Sequence, residues 1–268
     1  MTRLSSLTQR LRTEGRKPLV PFLTAGYPDP ETFAGVMGAA ADAGCSLVEI
    51  GIPFSDPVAD GPVIQAASQK VLEQGMTLTR TLALAARASR EHDLTVVLMG
   101  YLNPLLKMGL PVFAEACGEA QVAGVIVPDL PLEESAELRD LLLARDTDLV
   151  DLVAPTTDQN RLTEHAAAAG GFLYLVSTTG VTGSAPGTGD NLEDYVARVR
   201  RANPLPLYVG FGIAEPAQAA RVAACADGAV VGSALIRTID AAGSGPAAVA
   251  AAAGFLTEMN AAMSAGKE

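Results

Sequence analysis

The sequence predicts an α/β protein, a single (β/α)8 TIM barrel over residues 1–268 with an extra N-terminal helix, and three observations predict it. First, eight short, almost uninterrupted apolar runs recur down the chain, as expected for parallel strands buried on both faces. Second, segments long enough for a helical crossover lie between them. Third, 268 residues sit near the length of about 250 usual for such a barrel, leaving no room for a second full domain.

The elements follow in order. Met1 to Lys17 carries Leu4, Leu7 and Leu11 at helical spacing, so a short amphipathic helix precedes the first strand. Its Arg and Ser content also fits a transit peptide, but the leucine spacing favours a helix packed on the barrel. The eight runs are Leu19 to Leu23, Leu47 to Ile50, Leu94 to Met99, Val122 to Val127, Leu149 to Val153, Phe172 to Val176, Leu205 to Val209 and Gly228 to Val231. Glu31 to Ala43, Glu133 to Ala144 and Leu192 to Arg200 read as crossover helices. Ala241 to Ala265 reads as the closing helix, its alanines interrupted by Val249, Phe255, Leu256 and Met259. An open doubly wound sheet is the competing topology. The dinucleotide fingerprint GxGxxG is absent after the first run, where Thr24-Ala25-Gly26-Tyr27-Pro28 stands instead.

Composition narrows the function. A formal net charge of −11 argues against nucleic acid, whose phosphates are recognised by clustered Lys and Arg. A small-molecule substrate is expected. Cys45, Cys117 and Cys225 are widely separated, with no CxxC pair, which suggests neither a disulfide framework nor a thiolate metal site and fits a reducing cytoplasm. No apolar run approaches the roughly 20 residues of a membrane span, so neither a membrane nor export is expected.

In Leu47-Val48-Glu49-Ile50-Gly51, strand alternation puts Leu47 and Glu49 on one face. A carboxylate in a strand buried on both sides is costly unless paired. Two readings fit: a hydrogen-bonded structural Glu that orients a loop, or a pocket Glu whose pKa is raised by desolvation so that it both donates and accepts protons. Ile52 to Pro62 contains three prolines and Asp60, and leads into a helix. Asp60 is either a cap or dipole partner of that helix, or a carboxylate kept ionised by the dipole beside a titrating Glu49.

Barrel sites are built from the loops that follow the strands. After the sixth run, Ser177 to Gly189 is long and rich in Gly, Ser and Thr, the composition of a lid or of a plain surface loop. Glycine turns Gly210-Phe211-Gly212 and Gly232-Ser233-Ala234 follow the seventh and eighth runs, the second opening a short helix. Backbone N–H groups at such places bind phosphate, and in barrels they gather after strands seven and eight.

The fourteen positions from Val48 to Gly61 resemble the signature segment of tryptophan synthase alpha chains, and the resemblance extends from about Phe22 to Ser233. It implies a lyase that needs no cofactor in this chain. The reaction is the retro-aldol cleavage of indole-3-glycerol phosphate to indole and D-glyceraldehyde 3-phosphate. By the same resemblance Glu49 and Asp60 are the catalytic pair, and Gly183, Gly212, Gly232 and Ser233 bind the substrate phosphate. Phe22, Tyr101, Ile126 and Tyr174 line the indole pocket. Thr178, Gly180, Thr182, Gly187 and Gly189 belong to the lid loop. Asp56, Pro57 and Asp129 face a beta subunit, which carries pyridoxal phosphate and receives the indole in an alpha2-beta2 heterotetramer. The residue reading of Asp56 and Asp129 is plainer: a loop cap and a turn residue. Two departures stand out: Thr178 where some members have Arg, and Gly100 where a larger residue is common.

Other chemistries find little support. Lys17, Lys70, Lys107 and Lys267 lie outside the strand runs, so no Schiff-base lysine is indicated. His92 and His165 are isolated and read as solvated helix residues; no GxSxG turn accompanies them. Another phosphate-binding barrel enzyme and a non-catalytic phosphate sensor are the alternatives. The sensor has no use for an acid–base pair.

Overall fold

The computed structural model describes residues 1–176, 192–210 and 212–264. The first half runs α1 (Arg3–Thr13), β1 (Leu19–Thr24), α2 (Pro30–Asp42), β2 (Leu47–Gly51), α3 (Pro62–Glu73), α4 (Leu78–His92), β3 (Thr95–Met99), α5 (Leu102–Met108), α6 (Leu110–Glu119) and β4 (Val122–Ile126). The second half runs α7 (Ala136–Leu143), β5 (Asp148–Val153), α8 (Gln159–Ala168), β6 (Leu173–Val176), α9 (Leu192–Ala202), β7 (Leu207–Gly210), α10 (Pro216–Cys225), β8 (Gly228–Val231), α11 (Ser233–Ala242) and α12 (Gly245–Ser264). All eight strands are parallel, each paired with its sequence neighbours, and β8 pairs with β1. The sheet is therefore a closed barrel, not the open alternative.

The strands form where the apolar runs lie because both of their faces are covered. One faces the barrel interior and the other the helices. In β1, β2, β4 and β8 every residue is buried. Helix starts are set by local chemistry. Asp29 caps α2, its carboxylate accepting from the backbone N–H of Glu31 at 3.1 Å and of Thr32 at 2.8 Å, with Pro30 at the first helical position.

Helix α1 closes the N-terminal end of the barrel. Leu4 is fully buried and occupies space left open by Gly124 and Gly171; a Cβ at either glycine would stand 2.6 or 2.5 Å from its side chain. Asp148, at the start of β5, accepts from Ser5 Oγ at 2.9 Å, from Ser5 N at 3.2 Å and from the Thr2 hydroxyl. The hydroxyl of Thr8 donates to the carbonyl of Gly171 at 2.7 Å. With this end sealed, only the C-terminal end of the barrel is open for a site.

Three expectations are corrected. The closing helix starts later, at Gly245: α11 continues to Ala242, and the chain turns through Gly243 (φ 88°) and Gly245 (φ 66°) into α12. Left-handed φ at both residues ends α11, a conformation that glycine adopts without steric cost. The segment Glu133 to Ala144 is also divided, into a 3-10 turn at Leu132–Glu134 and α7, because Ser135 Oγ turns back to the Leu132 carbonyl at 2.7 Å. His165 is on a helix but is not solvated. Its side chain is 13% exposed, with Nδ1 3.4 Å from Asp151 Oδ2, while the other oxygen of Asp151 accepts from Arg139 at 2.8 Å. Among the described residues no helix is long and apolar enough to cross a membrane.

Candidate active site

Glu49 lies in the middle of β2, beside Phe22 of β1 and Val97 of β3. Neighbours in parallel register point to the same side of the sheet, and here that side is the barrel interior. Glu49 is 1% exposed, and neither carboxylate oxygen has a hydrogen-bond partner among the described residues. The structural reading of Glu49 required such bonds. Burial, and secondarily the nearby Asp60 carboxylate, push its pKa up to about 8.

Asp60 reaches the same space from the loop after β2. It is not the cap of α3: Gly61 holds that position, with Pro62 opening the helix. Its backbone is tied on both sides, N–H donating to the Pro57 carbonyl at 3.1 Å and carbonyl accepting from Gln65 Nε2 at 2.8 Å. The dipole of α3 does not keep this carboxylate in its ordinary range. Burial dominates and pushes its pKa up to about 6, opposed by a hydrogen bond from Tyr101. The order expected between the two carboxylates survives, with Asp60 the more acidic.

Tyr101 holds the loop. Its hydroxyl accepts from the backbone N–H of Ala59 at 3.0 Å, donates to Asp60, and its ring stacks on Phe54 with centroids 5.4 Å apart. Gly100 before it leaves room for Ile52, whose side-chain atoms would lie 2.7 and 2.8 Å from a Cβ there. A larger residue at this position requires a smaller or shifted partner at Ile52.

The two carboxylates line one cavity of about 370 Å³, within the range of sites for small ligands. Phe22, Met99 and Tyr174 form apolar wall; Gly212, Gly232 and Ser233 stand at the cavity as well. Gly210 allows Tyr174 its place, since a Cβ there would fall 2.1 Å from the phenolic oxygen. Burial, with Glu49 and Asp60 nearby, holds that phenol well above its ordinary pKa. Gly212 has φ 78° and, among the described residues, no atom within 4 Å of an added Cβ, which suits a close approach of its backbone to a ligand. Gly232 caps α11 and Ser233 is its first residue, so unpaired N–H groups of the first turn begin here.

Of the other residues singled out from sequence, Tyr101 and Ile126 are buried but do not line this cavity. Tyr101 acts on it through Asp60. Asp56 and Asp129 are exposed while Pro57 is buried. Both aspartates do have the local roles of a turn: Asp56 accepts from the hydroxyl of Ser55, and Asp129 from the backbone N–H of Leu102 at 2.9 Å. Beside Asp56, Val58 is 78% exposed. Gly183, with Thr178, Gly180, Thr182, Gly187 and Gly189, lies outside the described residues. Sequence reasoning missed Met99, Ile213, Val230 and Arg237 as lining residues. Met99 was accessible in principle: it lies two residues after Val97 and so repeats the inward alternation that exposes Glu49. Among the described residues no three His, Cys, Asp or Glu side chains converge as a metal site.

A buried carboxylate pair facing glycine turns after β7 and β8 can move protons on a phosphorylated ligand. Residues 8–264 match the family model described as tryptophan synthase alpha chain. The tryptophan synthase alpha chain of Chloroflexus aggregans is 48% identical over 244 residues, covering 90% of each chain. That of Nitratidesulfovibrio vulgaris is 46% identical over 243 residues, 90% of this chain and 94% of the other. Among solved structures, tryptophan synthase subunit alpha from Legionella pneumophila superposes with a TM-score of 0.89 at 32% identity over 99% of both chains. A chain of Mycobacterium tuberculosis tryptophan synthase gives 0.89 at 33% identity over 98% of both. The match runs through β2, the Asp60 loop and both glycine turns, and on this evidence the chain belongs to the tryptophan synthase alpha chain family.

Proposed function

We propose that Glu49 and Asp60 carry out the retro-aldol cleavage of indole-3-glycerol phosphate to indole and D-glyceraldehyde 3-phosphate. In this reading residues 1–268 act as one domain and Gly183, Gly212, Gly232 and Ser233 hold the phosphate. The observation that carries it is the partnerless Glu49 carboxylate, buried in the same cavity as Asp60. With pKa values near 8 and 6, the pair at neutral pH is one acid and one base.

The chemistry then follows. Protonated Glu49 delivers its proton to C3 of the indole ring, which places positive charge on the ring nitrogen. Asp60, ionised, accepts a hydrogen bond from the ring N–H and stabilises that charge. The Glu49 carboxylate then takes the proton of the side-chain hydroxyl. The oxygen's electrons form the aldehyde, the carbon–carbon bond breaks, and its electron pair returns to the ring, releasing indole. Glu49 ends protonated, so the cycle closes without a cofactor in this chain. Phe22, Met99 and Tyr174 supply a wall for the flat ring, and Tyr101 keeps Asp60 in place.

Indole then passes to a beta subunit, whose pyridoxal phosphate supplies the chemistry of L-tryptophan formation. Exposed Asp56, Val58 and Asp129 suit that contact, with Pro57 as the buried support of the loop. The setting is cytoplasmic, consistent with the free thiols Cys45, Cys117 and Cys225.

Indole release by the full chain, alone and with a beta subunit, tests the proposal. Glu49→Gln is expected to lower kcat by about 10²–10⁴ while binding of glycerol 3-phosphate, a stand-in for the phosphate end, changes little. Near-normal turnover in that variant would remove Glu49 from the mechanism.

A further inference from the structure

The phosphate end of the cavity carries a cation that the two-carboxylate chemistry does not use. Arg237 lies on α11, four residues after Ser233, so the two share a helix face. Side chains on a helix lean toward its N-terminus, which directs the guanidinium back over the turn that starts at Gly232. Arg237 lines the same cavity as Gly212, Gly232 and Ser233. It is exposed and enters no ion pair or hydrogen bond among the described residues. Most other arginines of the chain are engaged, for example Arg139 with Asp151 and Arg200 with Asp227.

Charge gives this placement a purpose. Among the described lining residues Arg237 is the only cation, set against Glu49 and Asp60, in a chain of net charge −11. A phosphate monoester arriving here carries nearly two negative charges. Backbone N–H groups at the glycine turns supply direction and partial charge, but no full counter-charge. A guanidinium supplies it, with parallel N–H groups matched to two phosphate oxygens.

We infer that Arg237 is a substrate-binding residue that pairs with the phosphate dianion and completes in charge the site that the glycine turns form in geometry. The inference rests on the reading of the cavity as a phosphate-ester site. Because Arg237 is remote in role from the proton transfers, it contributes to binding in the ground state and the transition state alike, so its loss raises KM and spares kcat.

The test uses Arg237→Gln and Arg237→Lys in the full chain, with indole release from indole-3-glycerol phosphate and calorimetric binding of glycerol 3-phosphate. The expected result for Arg237→Gln is a KM raised about 5- to 20-fold, kcat within about twofold, and glycerol 3-phosphate affinity weakened in parallel. Arg237→Lys keeps the charge but not the fork and falls between. Added sodium chloride weakens the parent's binding more than the variant's. Unchanged KM and unchanged glycerol 3-phosphate affinity in Arg237→Gln would overturn the inference while leaving the lyase reading intact. If the parent releases no indole yet binds glycerol 3-phosphate in an Arg237-dependent way, the lyase reading fails and Arg237 stands.

Discussion

Two buried carboxylates carried by strands, Asp148 of β5 and Glu49 of β2, stand in opposite circumstances. Asp148, at the N-terminal end, is surrounded by donors: the hydroxyls of Thr2 and Ser5 and the backbone N–H of Ser5. Glu49, on the way to the C-terminal end, has no hydrogen-bond partner among the described residues, and its nearest influence is another acid. Both side chains are almost wholly removed from water. The difference teaches how one residue type divides into structure and chemistry. A satisfied carboxylate fastens α1 to the barrel, whereas an unsatisfied one retains an affinity for protons that a substrate can use.

The largest expected effect breaks the comparison at Glu49. Beyond its loss of turnover, Glu49→Gln is expected to stabilise the fold at pH 8. The sign follows from linkage. The folded pKa, about 8, lies above the ordinary value of 4.5, so the folded state binds more protons across that window. Stability relative to a neutral side chain is therefore fully present below pH 4.5 and is lost as pH rises toward 8. The total is of the order of a few kcal/mol. Thermal melts of parent and variant at pH 5 and pH 8 check this: the variant's advantage should grow with pH, and a constant difference would contradict the raised pKa.

Asp148→Ala is the opposite case. Removing the shared acceptor leaves the donors of α1 unsatisfied and should cost about 2–4 kcal/mol of stability. Turnover per folded molecule should stay near the parent's. Urea unfolding followed alongside indole release separates the two quantities; a large fall in kcat without loss of stability would show that the closed end of the barrel also shapes the open one.

A smaller effect sharpens the division within the site. The dependence of kcat/KM on pH should be bell-shaped, with limbs near 6 and 8 belonging to the carboxylate pair as a unit. Tyr101→Phe removes the hydrogen bond that opposes burial at Asp60. The acid limb should then move to higher pH, lowering activity several-fold at pH 6 and less at pH 7.5. An unmoved acid limb would mean that Asp60 owes its ionisation to something other than Tyr101.

Much of this was legible from the order of residues. The eight runs coincide with the eight strands to within two residues at every end, because a strand buried on both faces has few polar positions to blur its pattern. Glu49 stood out for the converse reason, as a charge inside such a run. Leu4, Leu7 and Leu11 marked α1, and all three are buried. What failed had a common cause. His165 read as solvated because nothing near it in the chain announces Asp151, fourteen residues earlier on β5; Asp60 read as a dipole partner because Tyr101 and the extent of burial are supplied by other elements. The closing helix read as continuous because alanine-rich sequence on both sides of Gly243 carries the same helical signal.

By itself the sequence determined the barrel class, the carboxylate pair and the glycine turns that follow β7 and β8. These depend on periodicity, on the cost of burying charge and on backbone freedom, all of which are local. Only the tertiary structure decided that Glu49 is left without a partner, that Asp60 is buried enough to be raised to about 6, and that Met99 and Arg237 join the same cavity. Those facts depend on which side chains meet across the closed sheet. Closure brings together residues more than two hundred positions apart, Leu19 beside Ala229 among them, and no local pattern records that distance.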